Sequence, residues 1–160
     1  MKILKYKKQK IVKKEIKIEK LKSIGKQIVF TNGCFDLIHL GHIVLLEKAK
    51  SFGDILIVAI NSDKSLSNLK GAKRPLVKEN ERAKILLSLK FVDYVIIFDE
   101  QTPENILEKL RPDILVKGQD YEFSEIVGRK YVKKIYRVPI VKNKSTTNLI
   151  NLIVKRYSYK

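Results

Sequence analysis

The sequence predicts an α/β protein: a single domain with three layers, α/β/α, around a five-stranded parallel sheet. Three observations carry that reading. Five short runs rich in β-branched residues recur along the chain, and stretches of helical periodicity lie between them. The runs are apolar throughout rather than at alternate positions, as in strands buried on both faces of a parallel sheet. Alternation of strand and helix then sets helices on both sheet faces.

The first strand is Gln27–Thr31 (QIVFT). A helix over His39–Phe52 follows, with Leu45, Ala49 and Phe52 spaced to share one face. The second strand is Asp54–Asn61 (DILIVAIN), and Lys78–Lys90 reads as a helix through Ala83, Leu86 and Leu87. Tyr94–Phe98 (YVIIF) is the third strand; the helix over Pro103–Leu110 opens on a proline, which suits a first turn. Ile114–Lys117 (ILVK) and Ile135–Val138 (IYRV) complete the strands, and Thr146–Lys155 closes the series as a helix that Ser145 can cap. Residues 1–23 read as a basic N-terminal arm or lead-in helix, with a leading helix around Lys14–Lys26, and residues 24–160 as the domain. No repeat or linker divides the 160 residues, and a 44% hydrophobic share supplies one core.

Thirty-four Lys and Arg against 17 Asp and Glu give a net charge of +17. Such a surplus attracts anions, from polyanions to phosphorylated small molecules. It is uneven: residues 1–26 hold eleven Lys and two Glu, a net +9, which leaves +8 for the other 134 residues. The arm is expected to be mainly solvated, with nucleic-acid or membrane-surface contact as the alternatives. It carries one aromatic residue, Tyr6, and no recognised module, so nucleic acid is not expected as the main partner. The single cysteine, Cys34, excludes an internal disulfide and a cysteine-only zinc site, and reads as a small packed residue. No apolar run reaches 18 residues, so no membrane insertion is expected; no apolar secretory core follows the basic start, so the expected location is cytoplasmic.

Ligands of open parallel sheets bind outside the carboxyl ends of the strands. Those ends carry Thr31-Asn32-Gly33, Asn61-Ser62-Asp63, Lys117-Gly118-Gln119-Asp120 and the turn Lys144-Ser145-Thr146-Thr147. The only two histidines, His39 and His42, stand at i and i+3 where the first strand gives way to a helix. They are neighbours on the helix surface, beside its positive end. Gly41 between them carries a propensity cost that a purely structural helix would avoid. Three readings stand open: partly buried structural histidines, metal ligands with no third ligand obvious, or paired donors to phosphate oxygens.

The string Thr31-Asn32-Gly33-Cys34-Phe35-Asp36-Leu37-Ile38-His39-Leu40-Gly41-His42 resembles the signature of the His-x-Gly-His nucleotidyltransferases. That family includes glycerol-3-phosphate and ethanolamine-phosphate cytidylyltransferases, pantetheine-phosphate adenylyltransferase and the adenylyltransferase domain of the ADP-heptose synthase. The resemblance covers nearly all of residues 24–155. Lys70-Gly71-Ala72-Lys73-Arg74-Pro75, Asn80-Glu81-Arg82, Val92-Asp93, Pro112-Asp113 through Lys117-Gly118-Gln119-Asp120-Tyr121, and Ser145-Thr146-Thr147-Asn148-Leu149-Ile150 follow in the order of the heptose-1-phosphate adenylyltransferase branch. Val141-Lys142-Asn143-Lys144 stands where the cytidylyltransferases carry Arg-Thr-Glu-Gly-Ile, which argues against CTP.

The resemblance implies a Rossmann-like nucleotidyltransferase domain in which a sugar phosphate attacks the α-phosphate of ATP. His39, His42 and Lys70 are then the expected catalytic residues. Thr31, Asn32, Gly33, Phe35, Lys117, Gly118, Asp120, Ser145, Thr146 and Thr147 are expected at the nucleotide. Lys73, Arg74 and Arg82 are expected at the substrate phosphate, with Lys70, Lys73 and Arg74 on a mobile loop after the second strand. Arg82 has a structural alternative, a pair with Glu79, and Asp36 has no assigned role. Mg²⁺ is expected to arrive with ATP, without a dedicated protein cage. The partners implied are ATP, heptose 1-phosphate and a second copy of the chain, for lipopolysaccharide core synthesis; 160 residues leave no room for a sugar kinase domain. The alternatives are a glycerol-3-phosphate or related cytidylyltransferase, an FMN adenylyltransferase, and, from a different class, a basic nucleic-acid-binding module.

Overall fold

The computed structural model describes residues 2–7, 10–13 and 18–158, with side chains from residue 19 onward. Five parallel strands form the centre: β3 (Ile28–Gly33), β4 (Ile55–Asn61), β5 (Tyr94–Phe98), β6 (Ile114–Gly118) and β7 (Lys134–Val138). Two further strands precede them, β1 (Lys2–Lys7) and β2 (Lys10–Lys13). The sheet order is β2-β1-β5-β4-β3-β6-β7, with β1 antiparallel to both β2 and β5. The five-stranded parallel sheet therefore stands as expected, and the N-terminal residues extend it at one edge. The lead-in helix is short, α1 (Ile18–Ser23); residues 14–17 of the expected Lys14–Lys26 helix lie outside the described residues.

Alternate residues of each central strand feed two cores. On one face Val29, Val58, Ile60, Val95 and Val116 meet Leu46 and Ala49 of α2 (Leu40–Lys50) and Ala83, Leu86 and Leu87 of α4 (Glu79–Leu87). On the other, Ile28, Phe30, Ile57, Ile96 and Leu115 meet Ile106, Leu107 and Leu110 of α5 (Glu104–Leu110). Three layers follow from that division. The helix α3 (Asp63–Lys70), between β4 and α4, had no counterpart in the sequence reading. No described helix is long and apolar enough to cross a membrane.

Aspartates stitch the amino-terminal pole of the sheet. Asp54, Asp93 and Asp113 each directly precede a strand, and each carboxylate accepts an N–H from a neighbouring strand or its approach: Gln27 (2.9 Å), Leu56 (2.8 Å) and Ile28 (3.0 Å). Burial works against the Asp113 carboxylate, but Lys133 and the Ile28 N–H outweigh it and hold its pKa below the usual value. The motif pieces Val92-Asp93 and Pro112-Asp113 thus fix strand register and leave chemistry to the opposite pole.

The chain runs from β3 to β4 and β5 on one side, then crosses to β6 and β7 on the other. Strand order reverses between β3 and β6, so a crevice opens at their carboxyl ends.

Candidate active site

That crevice is a cleft of about 350 Å³. Its floor is the end of β3 and β6. Thr31 is fully buried and donates from Oγ1 to the Val116 carbonyl (2.9 Å), tying the two strands together. Beside it Lys117 donates from Nζ to Asn32 Oδ1 (2.6 Å) and lies 5.0 Å from the Tyr121 ring centroid. Burial pushes the Lys117 ammonium down to about 8, although Asp120 and Cys34 pull the other way.

One wall is built by the segment from Gly33 to α2. Phe35 has a left-handed φ of 46°, which a bulky residue adopts only under constraint. The constraint is packing: the ring is buried, 4.9 Å from the His42 ring, and any Cβ on Gly33 would stand 3.0 Å from it. The chain thereby turns sharply enough to start α2 at the cleft. His39 and His42 stack there with ring centroids 3.8 Å apart at 21°. Both Nδ1 atoms are buried without a hydrogen-bond partner among the described residues. Burial lowers the His39 pKa; burial first, then repulsion from His39, lowers that of His42 to about 4, with the Leu37 carbonyl opposing. Both rings are neutral at pH 7.

Two helix ends point into this space. His39 is the N-cap of α2 but makes no side-chain cap bond, and the Leu40 and Gly41 N–H groups donate to nothing among the described residues. Opposite stands α6 (Thr146–Tyr157), whose N-cap Ser145 accepts from the Asn148 N–H at 3.1 Å, while the Thr146 and Thr147 N–H groups donate to nothing among the described residues. Gly41 lets these ends meet: a Cβ there would lie 3.1 Å from both the Lys144 carbonyl and the His39 ring. Neither first turn carries an acidic residue. Two positive helix ends and two imidazoles thus meet at an opening shared with the Ser145–Thr147 turn, an arrangement suited to phosphate oxygens.

Most expected site residues come together here: His39, His42, Lys70, Arg74, the β3 end from Thr31 to Phe35, Lys117, Gly118, Asp120 and Ser145–Thr147 all line the cleft. Three placements differ from expectation. Lys70 ends α3 instead of riding a loop. Lys73 is exposed and outside the lining. Arg82, expected at a phosphate, is fully buried behind the cleft: its guanidinium donates to the carbonyls of Val77 (2.9 Å) and Cys34 (2.7 Å) and to Asp63 Oδ1 (2.9 Å). Replacing Arg82 by Met would leave two inward carbonyls unpaired; a loss of about 3 kcal/mol is expected by urea denaturation, and a loss below about 1 kcal/mol would show the brace to be dispensable.

The sequence reading missed Tyr121 and the Pro139-Ile140-Val141 stretch, which also line the cleft. Tyr121 lies three residues beyond the carboxyl end of β6 and Pro139 directly follows that of β7, so the strand-end rule that singled out Lys117 and Ser145 would have found them. Asp36 also gains partners: its buried carboxylate accepts from Arg74 and from the N–H groups of Leu76 and Val77.

A family model described as cytidylyltransferase-like matches residues 30–154. The bifunctional protein HldE of Geobacter sulfurreducens is 52% identical over 140 residues, covering 85% of this chain and 29% of that protein. HldE of Campylobacter fetus is 48% identical over 153 residues, 94% of this chain and 33% of that protein. The chain thus spans about a third of the length of these relatives. The crystal structure of a lipopolysaccharide core biosynthesis protein from Thermoplasma volcanium superposes with a TM-score of 0.57 at 30% identity, over 75% of this chain and all of that one. A pantoate-beta-alanine ligase from Francisella tularensis, at 20% identity and a TM-score of 0.52, shares the fold.

Proposed function

This chain belongs to the cytidylyltransferase-like family, and from that premise we propose that it is a nucleotidyltransferase moving AMP from ATP onto heptose 1-phosphate. The observation that carries the reading is the pair of neutral, stacked imidazoles between the amino-terminal ends of α2 and α6 in one cationic cleft. The relatives support the substrate class: one structure carries lipopolysaccharide core biosynthesis in its name, and the HldE proteins are bifunctional, so the reading takes from them only the part this chain matches.

The chemistry needs no general base. A phosphate monoester has a second pKa near 6, so the sugar phosphate is largely dianionic at neutral pH. Its oxygen attacks the α-phosphorus, the bond from that phosphorus to the bridging oxygen of the β-phosphate breaks, and pyrophosphate leaves with the electron pair. ADP-heptose is the other product. His39, His42 and the α2 amides donate to oxygens whose charge grows in the transition state, where preorganised donors are worth most. Lys117, Lys70 and Arg74 balance the charge of the two substrates, and the start of α6 holds the terminal phosphates.

Among the described residues no three His, Cys, Asp or Glu stand together as a metal cage. The donors of the cleft are imidazole, ammonium and guanidinium, with Asp120 on its lining, which fits Mg²⁺ carried in by the triphosphate. Bound there, it would neutralise triphosphate charge, held by phosphate oxygens and water, with Asp120 the carboxylate on the cleft lining. The homodimer implied by the resemblance, and a cytoplasmic location for an ATP-consuming step, belong to the same proposal.

The test is pyrophosphate release with ATP and with CTP, with and without heptose 1-phosphate. ATP turnover that depends on the sugar phosphate, at least about tenfold above CTP, is expected. A CTP preference would assign the chain to the cytidylyltransferase side of the family.

A further inference from the structure

We propose that Asp36 is a positioning residue that sets the Arg74 guanidinium in the cleft and holds the 74–77 loop as a pre-formed wall. The proposal rests on the reading above, in which Arg74 meets a substrate phosphate.

The Asp36 side chain is wholly buried. Its Oδ2 accepts from Arg74 Nε (2.5 Å) and from the Leu76 N–H (3.0 Å); its Oδ1 accepts from the N–H groups of Leu76 and Val77, both at 2.9 Å. Burial pushes the pKa of such a carboxyl up, yet the Val77 and Leu76 amides and Arg74 keep it below the ordinary value. The group therefore stays charged and fully used. A surface ion pair would leave its arginine to sample rotamers; this one fixes it through a charge-assisted bond in a closed site.

The geometry divides the guanidinium in two. Nε is committed to Asp36, whereas the Nη nitrogens make no hydrogen bond among the described residues, and Arg74 lines the cleft. An arginine can serve a carboxylate with one edge and a phosphate with another; a lysine cannot. Asp36 also lies three residues before His39, so one short segment delivers both the imidazoles and the anchor for Arg74. Arg82 braces the same two loops from behind, through the Cys34 and Val77 carbonyls. Imidazoles and guanidinium are thereby held at a fixed mutual placement, and the loop expected to be mobile is tied down at three successive donors.

The experiment is a double-mutant cycle with Asp36→Asn, Arg74→Ala and both, read as kcat/KM for each substrate, beside Arg74→Lys and amide hydrogen exchange. Asp36→Asn is expected to lower kcat/KM about 10- to 30-fold, Arg74→Ala about 100-fold, and the double variant no further than Arg74→Ala alone. Effects that multiply in the double variant would overturn the proposal, since a merely structural aspartate acts independently of Arg74. Arg74→Lys is expected to match Arg74→Ala; near-wild-type activity there would also overturn it, and this arm stands should Asp36→Asn fail to fold. Exchange at the Leu76 and Val77 amides is expected to speed up at least about tenfold in Asp36→Asn. Unchanged protection would refute the wall. That readout needs no turnover, so it separates failure of this proposal from failure of the proposed reaction.

Discussion

Replacing His42 by alanine is expected to lower kcat for nucleotidyl transfer about 10²- to 10³-fold, with KM for ATP changed only a few-fold. The effect falls on kcat because the imidazole has most to offer where charge concentrates on the α-phosphate during transfer. In the cleft it is a neutral imidazole whose Nδ1 is buried and makes no hydrogen bond among the described residues. A polar atom left so costs roughly 1–3 kcal/mol, a cost that persists only where it serves something else. His39 stacks on His42 at 3.8 Å, so two protonated rings would repel; neutral rings can approach the same oxygens together. His42→Asn, which keeps a donor, is expected to recover part of the loss. Circular dichroism and a thermal melt guard against trivial unfolding, since His42 also packs on Phe35. A folded His42→Ala protein with a kcat within threefold of wild type would remove the imidazole from the mechanism.

The same burial makes a pH prediction for stability. The folded His42 pKa, about 4, lies below the unfolded value near 6.5. Between those values the unfolded chain binds more protons, so stability falls as pH drops from about 6.5 toward 4. Binding of triphosphate should pull the His42 pKa upward, by reciprocity, and histidine NMR signals would report it.

The parts of the fold that sequence revealed share one physical cause. Strands β3 to β6 are buried on both faces, so their apolar runs are long and unambiguous, and Tyr94–Phe98 matches its predicted limits. The missed helix, α3, buries only Ser65 and Leu66 along its length, too little to write a periodicity into Asp63–Lys70. Its absence from the reading put Lys70 on a loop. The N-terminal strands were hidden by charge: Lys2–Lys7 and Lys10–Lys13 read as a solvated arm, yet lysine is what the edge strand β2 tolerates. In the site, residues close in sequence were legible, because the Thr31–His42 string and the Ser145 turn are local patterns. Partners distant in sequence were not. Nothing local to Asp36 reveals its acceptance of donors about forty residues on, and nothing local to Arg82 says that it faces a carbonyl at Cys34 rather than a ligand.

Lys117→Met is expected to lower kcat/KM for ATP about 100-fold and to abolish an alkaline limb that wild type shows near pH 8. A charge-assisted hydrogen bond to phosphate is worth about 1.5–3 kcal/mol, which sets the size of the first effect. The second follows from burial. With a pKa of about 8 in the free protein, Lys117 is charged below that value and neutral above it. Above pH 8, ATP binding must bring a proton to the ammonium, so kcat/KM should fall tenfold per pH unit. Bound triphosphate raises the pKa again, so kcat should stay level to higher pH. Lys117→Arg keeps its charge throughout and should show no limb at 8, at lower absolute efficiency because the longer fork displaces Asn32 from its present contact. For stability the sign is opposite to that of a paired lysine: the folded pKa lies below the unfolded one, so this group makes the fold more stable as pH climbs from about 8 to 10.5. A limb near pH 8 that survives in Lys117→Met would belong to another group, and the floor of the cleft would lose its charge-bearing role.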